Sequence, residues 1–290
     1  MQVVINFFTD LPSYHRTIIL ASGFMLMWMI ESIIPLFKSF SGKARHTFIN
    51  LFFTFTTLVV NFILGVLLVK AADFTTENHF GLLYLFSLPL LLHAILGFMF
   101  LDLIGSYSIH WLEHKVKWMW KFHVIHHTDQ HINTSTALRH HPGESIFRAL
   151  FTVAAILIVG APVWLVFLYQ TCSAFFSQFN HANIHLPKWF DKMIELIFVS
   201  PDMHKVHHHQ YMPLTDTNYG NIFSFWDRIF GTYVHVKDAK EVEYGLDIYP
   251  LPKDNNDLAK LLRIPFEPYI PPAGSKFSKK EKEIVVEDMV

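Results

Sequence analysis

Histidine dominates the chemistry available to this chain. Of its 19 histidines, 14 lie between His110 and His209. Packing does not call for such a density, because a buried imidazole must find hydrogen-bond partners. The histidines fall into motifs. His110 and His114 form HxxxH, and His123, His126 and His127 form HxxHH. His181 and His185 repeat the first spacing, and His204, His207 and His208 repeat the second. On an α-helix, positions i and i+4 lie about 40° apart, and i, i+3 and i+4 span roughly 100°, so each motif turns its imidazoles to one side. Together they offer ten ligands, a number suited to two ions of about five- or six-fold coordination, and imidazole suits Zn, Cu, Fe and Ni. His15, His46, His79, His93 and His235 stand alone and read as structural; His131 and His209 adjoin the motifs but break their spacing.

The motifs that are missing narrow the chemistry further. No Glu-x-x-His speaks for a carboxylate-bridged bundle, and no HExxH for a zinc protease. A Gly-rich nucleotide loop is also missing, and the one cysteine, Cys172, excludes an intrachain disulfide or a Cys-based cluster. Any redox reaction therefore takes its electrons from outside the chain.

Membrane helices must position the histidines. Hydrophobic residues make up 52% of the 290 and charged residues 16%, against roughly 25% charged in soluble domains. Mean hydropathy is +0.30 and Phe occurs 29 times. A net charge of −1 gives no case for nucleic-acid binding. Spans are expected at about 17–37, 48–69 and 82–104. The apolar stretch 146–180 is too long for the roughly 20 residues that cross a bilayer. Its Gly160-Ala161-Pro162 break predicts a hairpin that returns to its starting side, which brings the two halves of the histidine set to one face.

Lys38, Lys43 and Arg45, with Lys115, Lys117, Lys121, Arg139 and Arg148, place that face in the cytoplasm by charge bias, and the N-terminus opposite. The first ten residues lack a basic stretch and contain Asp10, so no cleavable signal is expected. The expectation is an all-α, integral-membrane, multi-pass bundle with a cytoplasmic His-rich helical cap holding a dinuclear metal site. Residues 1–249 would form the catalytic domain. Residues 250–290 would form a Pro-rich extended wrap and a charged, disordered tail.

Metal-bound histidines usually donate their second ring N–H to a carboxylate or carbonyl. Candidates to orient them are Asp102, Asp129, Arg139, His141, Glu144, Asn180, Asn183, Asp202 and Asp227. Arg139 is expected to pair with Glu144. The Trp226–Thr232 stretch is expected to pack under the metals.

Residues 102–233 resemble the fatty acid hydroxylase / sterol desaturase superfamily. The likeness rests on His123-Val-Ile-His-His127, Thr136-Ala-Leu-Arg-His-His-Pro-Gly-Glu144, Pro201-Asp-Met-His-Lys-Val-His-His208 and the run from Asn218 to Tyr233. It is strongest toward bacterial sterol desaturase-like and alkylglycerol monooxygenase-like members. The resemblance implies that the ten histidines bind two Fe ions, whose place another metal such as Zn can take. It also implies O2 as co-substrate, a lipid substrate drawn from the bilayer, and an external electron donor such as ferredoxin, cytochrome b5 or a reductase. Sterol, fatty-acyl, alkylglycerol and carotenoid lipids are all within the superfamily's range, as are hydroxylation, desaturation and ether cleavage. The first HxxxH spacing and the lack of a fused cytochrome b5 domain argue against a fatty acid 2-hydroxylase.

The alternative is a membrane metal transporter or metal-binding protein without oxygenase activity. A transporter threads its ligands through the bilayer, whereas most histidines here lie outside the spans. A bis-His haem protein needs a histidine on each of two facing spans, and a zinc hydrolase needs three ligands rather than ten.

Overall fold

The computed structural model describes residues 1–38, 40 and 42–278, and among them the chain is helical with no strand. The helices are α1 (Gln2–Asp10), α2 (Ser13–Ile33), α3 (Lys43–Glu77), α4 (Leu90–Asp102), α5 (Ile109–Lys115), α6 (Lys117–His127), α7 (Pro142–Val159), α8 (Val163–His181), α9 (Lys188–Glu195), α10 (Pro201–His207), α11 (Phe225–Ile229), α12 (Pro252–Asn255) and α13 (Leu258–Arg263). Among the described residues, four helical stretches are long and apolar enough to cross a membrane: Tyr14–Ile33, Lys43–Leu85, Leu90–Lys115 and Pro142–Val159. Phe48, Phe55, Phe62 and Ile63 of α3 project outward. In water such a row is an aggregation hazard; against acyl chains it is at home.

The third span differs from expectation. It starts at Leu90 rather than at residue 82, because Leu82–Leu85 form only a short turn and Pro89 caps the new helix. It then runs into a π-helical stretch, Leu103–Ser108, which shifts the phase of the side chains before α5 begins. Helix α1 was not expected from the sequence; its Ile5 and Phe8 pack on the membrane-side core around Leu165 and Val166.

The chain turns between α7 and α8 at the 160–162 break. Gly160 closes α7 in the left-handed region (φ +82°), donating its N–H to the Ile156 carbonyl, and Pro162 caps α8. A Cβ on Gly81 would lie 2.4 Å from the Gly160 Cα, so two glycines let the hairpin tip touch the far end of the bundle. Helices α7 and α8 thus begin and end at the same face, where α5, α6 and α10 gather.

Buried polar contacts fasten that cap to the spans. Arg139 is fully buried. Its Nε donates to the Ile125 carbonyl (3.0 Å), Nη1 to Asn50 Oδ1 of α3 (2.8 Å), and Nη2 to Thr128 Oγ1 and the Asn255 carbonyl (3.1 Å each). Beside it, Asp129 meets His46 Nε2 (2.8 Å) and accepts from Thr136 Oγ1 (2.7 Å). Burial pushes the Asp129 carboxyl up, but His46, Arg139 and Thr136 together hold it well below the usual carboxylate range. The stretch after Pro250 is less extended than expected: α12 and α13 interrupt it. Leu261 and Ile264 join Ile49, Phe53, Trp120 and Leu246 in one core. The charged tail, from residue 279 on, lies outside the described residues.

Candidate metal centre

Nine histidines converge where the four motifs meet. His110, His114, His123, His127 and His207 form one group, and His126, His181, His204 and His208 another; within each, the ligand nitrogens lie within 4.8 Å of one another. Local structure supplies both the spacing and the aim. His110 and His114 are one turn apart on α5 and three imidazoles share a face of α6. Ser200 caps α10 by accepting from the Met203 N–H (3.1 Å), which fixes where His204 and His207 start.

Hydrogen bonds set the tautomers. His110 Nδ1 donates to the Tyr219 carbonyl (2.8 Å), His207 Nδ1 to the Thr217 carbonyl (2.7 Å) and His181 Nδ1 to the Ser177 carbonyl (2.7 Å). A carbonyl only accepts, so these Nδ1 atoms hold the proton and each Nε2 keeps its lone pair. His114 Nδ1 faces Asp216 (3.2 Å) and His123 Nδ1 faces Glu144 Oε1 (2.8 Å) in the same sense.

The free nitrogens fit a cation. Nε2 of His110, His114 and His207 is buried with no partner. His181 Nε2 lies 3.1 Å from Nε2 of His126, of His204 and of His208. One lone pair cannot accept from three rings at once, whereas four nitrogens ligating one ion at about 2.1 Å would stand roughly 3.0 Å apart along octahedral edges. The His123–His127 Nε2 separation of 3.2 Å agrees. Burial pulls the imidazoles of His126, His127, His204, His207 and His208 well below the usual histidine range, and that of His123 to about 3 against the pull of Glu144; all are held neutral, as ligands must be.

His185 is the exception. Helix α8 stops at His181, and the chain continues extended beside Pro35 and Leu36. Ile184 turns inward at 2% exposure, so its neighbour His185 turns out to the surface. The HxxxH spacing needed a helix, and Pro187 disfavours one at the residue before it.

The expected orienting residues divide. Glu144 faces His123 and also lies 2.8 Å from His140 Nδ1, and Arg148 Nε donates to it (2.9 Å). It does not meet Arg139, whose fork is filled by the four acceptors above; Arg148 also pairs with Glu113. Asp227 acts one step removed, accepting from the Tyr219 and Gly220 N–H groups (2.7 and 2.9 Å) and so fixing the carbonyl that holds His110. Trp226 packs with Tyr219, whose ring lies beside His110, His114 and His207. Five candidates bond elsewhere: Asp102 accepts from Trp226 Nε1 (3.0 Å), Asn180 donates to the Asn221 carbonyl (2.7 Å), Asn183 donates to the Phe37 carbonyl, His141 accepts from the Gly143 N–H at the start of α7, and Asp202 faces Lys205 (3.3 Å). Sequence reasoning missed Asp216 and the three carbonyls; it marked the His140–His141 cluster but gave no role to His140, which stacks on His126 at 4.6 Å between ring centroids. Only His140 left a signal, its place in the Thr136–Glu144 stretch.

A helical membrane bundle whose cap gathers histidines in this way defines a class, and residues 94–232 match the fatty acid hydroxylase family. That segment is a fatty acid hydroxylase domain, as the resemblance of its motifs implies. Among individual proteins, the chain is 22% identical over 249 residues to an ornithine lipid hydroxylase of Rhizobium tropici, covering 83% of this chain and 73% of the relative. It is 32% identical over 152 residues to the alkylglycerol monooxygenase of Danio rerio, covering 52% of this chain and 32% of that protein. The human alkylglycerol monooxygenase is 32% identical over 143 residues, 49% of this chain and 30% of that protein. The chain thus spans less than a third of the alkylglycerol monooxygenases it matches. No solved structure matches.

Proposed function

We propose that this protein is a membrane-bound, O2-dependent di-iron oxygenase that hydroxylates a lipid. One observation carries the reading: nine buried imidazoles bring their ligand nitrogens together in two groups, in a bundle whose outer face is apolar. The names of the relatives, lipid hydroxylase and monooxygenase, point the same way. We take the cap to face the cytoplasm, in line with its flanking lysines and arginines.

His110, His114, His123, His127 and His207 would hold one iron, and His126, His181, His204 and His208 the other. Iron held there supplies O2 activation for attack on an unactivated C–H bond, with electrons from a ferredoxin, cytochrome b5 or reductase. The chain does the rest. Carbonyl and carboxylate acceptors behind five ligands lock ring orientation before metal arrives. Glu144 and Arg148 set one carboxylate charge beside the first group. Trp120 and Tyr219, buried against the ligand rings, exclude water from it.

The test is metal analysis followed by lipid mass spectrometry. Protein made with ample iron should carry two irons per chain, and cells making it should gain a lipid with one added oxygen atom, labelled from 18O2. Less than one iron per chain would overturn the reading; loss of two hydrogens would make the reaction a desaturation.

A further inference from the structure

A cavity of about 700 Å³ lies beside the metal centre and is lined by none of the nine histidines. That volume suits a small amphiphile. One wall is Phe24 and Trp28 of α2, a helix apolar enough to cross a membrane, and Phe37, Phe40 and Ile132 continue the apolar lining. Polar residues line it too, among them Lys38 and Lys43.

The charges in this lining are not equivalent. Glu31 is engaged, accepting from the backbone N–H groups of Thr134 and Asn183 (2.6 Å each), and Glu243 accepts from Gln210. The amides of Asn183 and Gln130 donate to the carbonyls of Phe37 and Pro250. Lys38 and Lys43 are exposed; Lys43 feels the Glu31 carboxylate electrostatically, but neither lysine stands within ion-pair distance of a described carboxylate. Lys43 also begins the 35-residue α3, whose N-terminus has no side-chain cap and no acidic residue in its first turn. Two lysines and the positive end of a long helix therefore border one space, part of whose apolar lining comes from a helix apolar enough to cross a membrane.

We propose that this cavity seats the polar head of a membrane lipid, through a phosphate or carboxylate between Lys38 and Lys43, with its chains along Phe24 and Trp28. Asn183 is two residues from His181 and Gln130 three from His127. At no more than about 3.6 Å per residue, the cavity wall stands within roughly 7–11 Å of ligand-bearing backbone. A lipid anchored here presents the carbons nearest its head to the metal centre. This last point rests on the proposed oxygenase function; the binding site does not.

Full-length protein in detergent would be titrated with phosphatidylglycerol, diacylglycerol and glycerol 3-phosphate and examined by native mass spectrometry. Phosphatidylglycerol should bind best, and the K38Q/K43Q double variant should weaken it by roughly ten- to thirtyfold while leaving diacylglycerol binding, helicity and iron content unchanged. Ser32→Trp, which fills the cavity, should weaken both lipids. Unchanged phosphatidylglycerol binding in K38Q/K43Q overturns the proposal. So does glycerol 3-phosphate binding as tightly as the lipid, which would mark a site for soluble phosphate esters. Protein that binds the lipid but lacks iron would refute the oxygenase and leave the cavity assignment standing.

Discussion

Two histidines at the same sequence spacing should behave oppositely when removed. His181 Nε2 has three partner nitrogens at 3.1 Å and an Nδ1 locked to Ser177, whereas His185 lies on the surface. Four-ligand structural zinc sites have apparent binding free energies of about 10–16 kcal/mol, or about 3 kcal/mol per ligand. His181→Ala should therefore weaken the second group's metal by about a hundredfold. His185→Ala should change stability by no more than about 0.5 kcal/mol, as at other exposed positions. Metal per chain, measured by mass spectrometry after dialysis against graded chelator, separates the two. The His181→Ala midpoint should move by about two decades of free metal and the His185→Ala midpoint should stay. Parallel loss in both variants, or retention in both, would refute the geometry that divides them.

Other perturbations probe the surroundings of the metals. Glu144→Gln removes the charge facing His123, His140 and Arg148, so metal affinity should fall by about 10–100-fold in the same dialysis assay. Arg139→Ala leaves four buried acceptors without their donor and should cost about 3–5 kcal/mol in denaturant unfolding followed by near-ultraviolet circular dichroism. In metal-free protein, His123, His126, His127, His204, His207 and His208 sit below the roughly 6.5 of free imidazole. The unfolded chain then binds more protons below that pH. The stability from keeping these rings neutral is present above about pH 6.5 and is lost on acidification, by up to about 1.4 kcal/mol per pH unit for each ring. Unfolding midpoints at pH 7.5 and 5.5 should show the drop; a flat profile would contradict neutral burial. Gly160→Ala should lower the thermal midpoint, because the hairpin tip needs a positive φ and has the Phe80 carbonyl 2.6 Å from where a Cβ would sit.

The sequence made the face-directed part of this architecture legible. HxxHH brings its imidazoles together because α6 and α10 are short helices with nothing to interrupt the spacing, and the chain turns back where Gly160 and Pro162 punctuate it. His185 misreads because the helix it needed ends at His181, where pairing with Pro35 and Leu36, 150 residues away in the chain, wins over local propensity. His46 reads as a lone structural histidine, and its partner Asp129 could not be named from spacing. The acceptors behind the ligands are the least legible part. The carbonyls of Tyr219, Thr217 and Ser177 carry no residue-type signature, so only coordinates reveal them. The same holds for Arg139, whose four acceptors come from α3, α6, the residue just after it and the C-terminal segment.

Helix α6 gives His123 and His127 to one group and His126 to the other, and α10 with its C-cap residue gives His207 to the first and His204 and His208 to the second. In the proposed centre, the interval between two ions would therefore be ruled by the pitch of two short helices. Loading one ion there would fix both helices and so prepare the place of its neighbour. Uptake should be all-or-none, and a half-filled centre should be a scarce species even when metal is limiting.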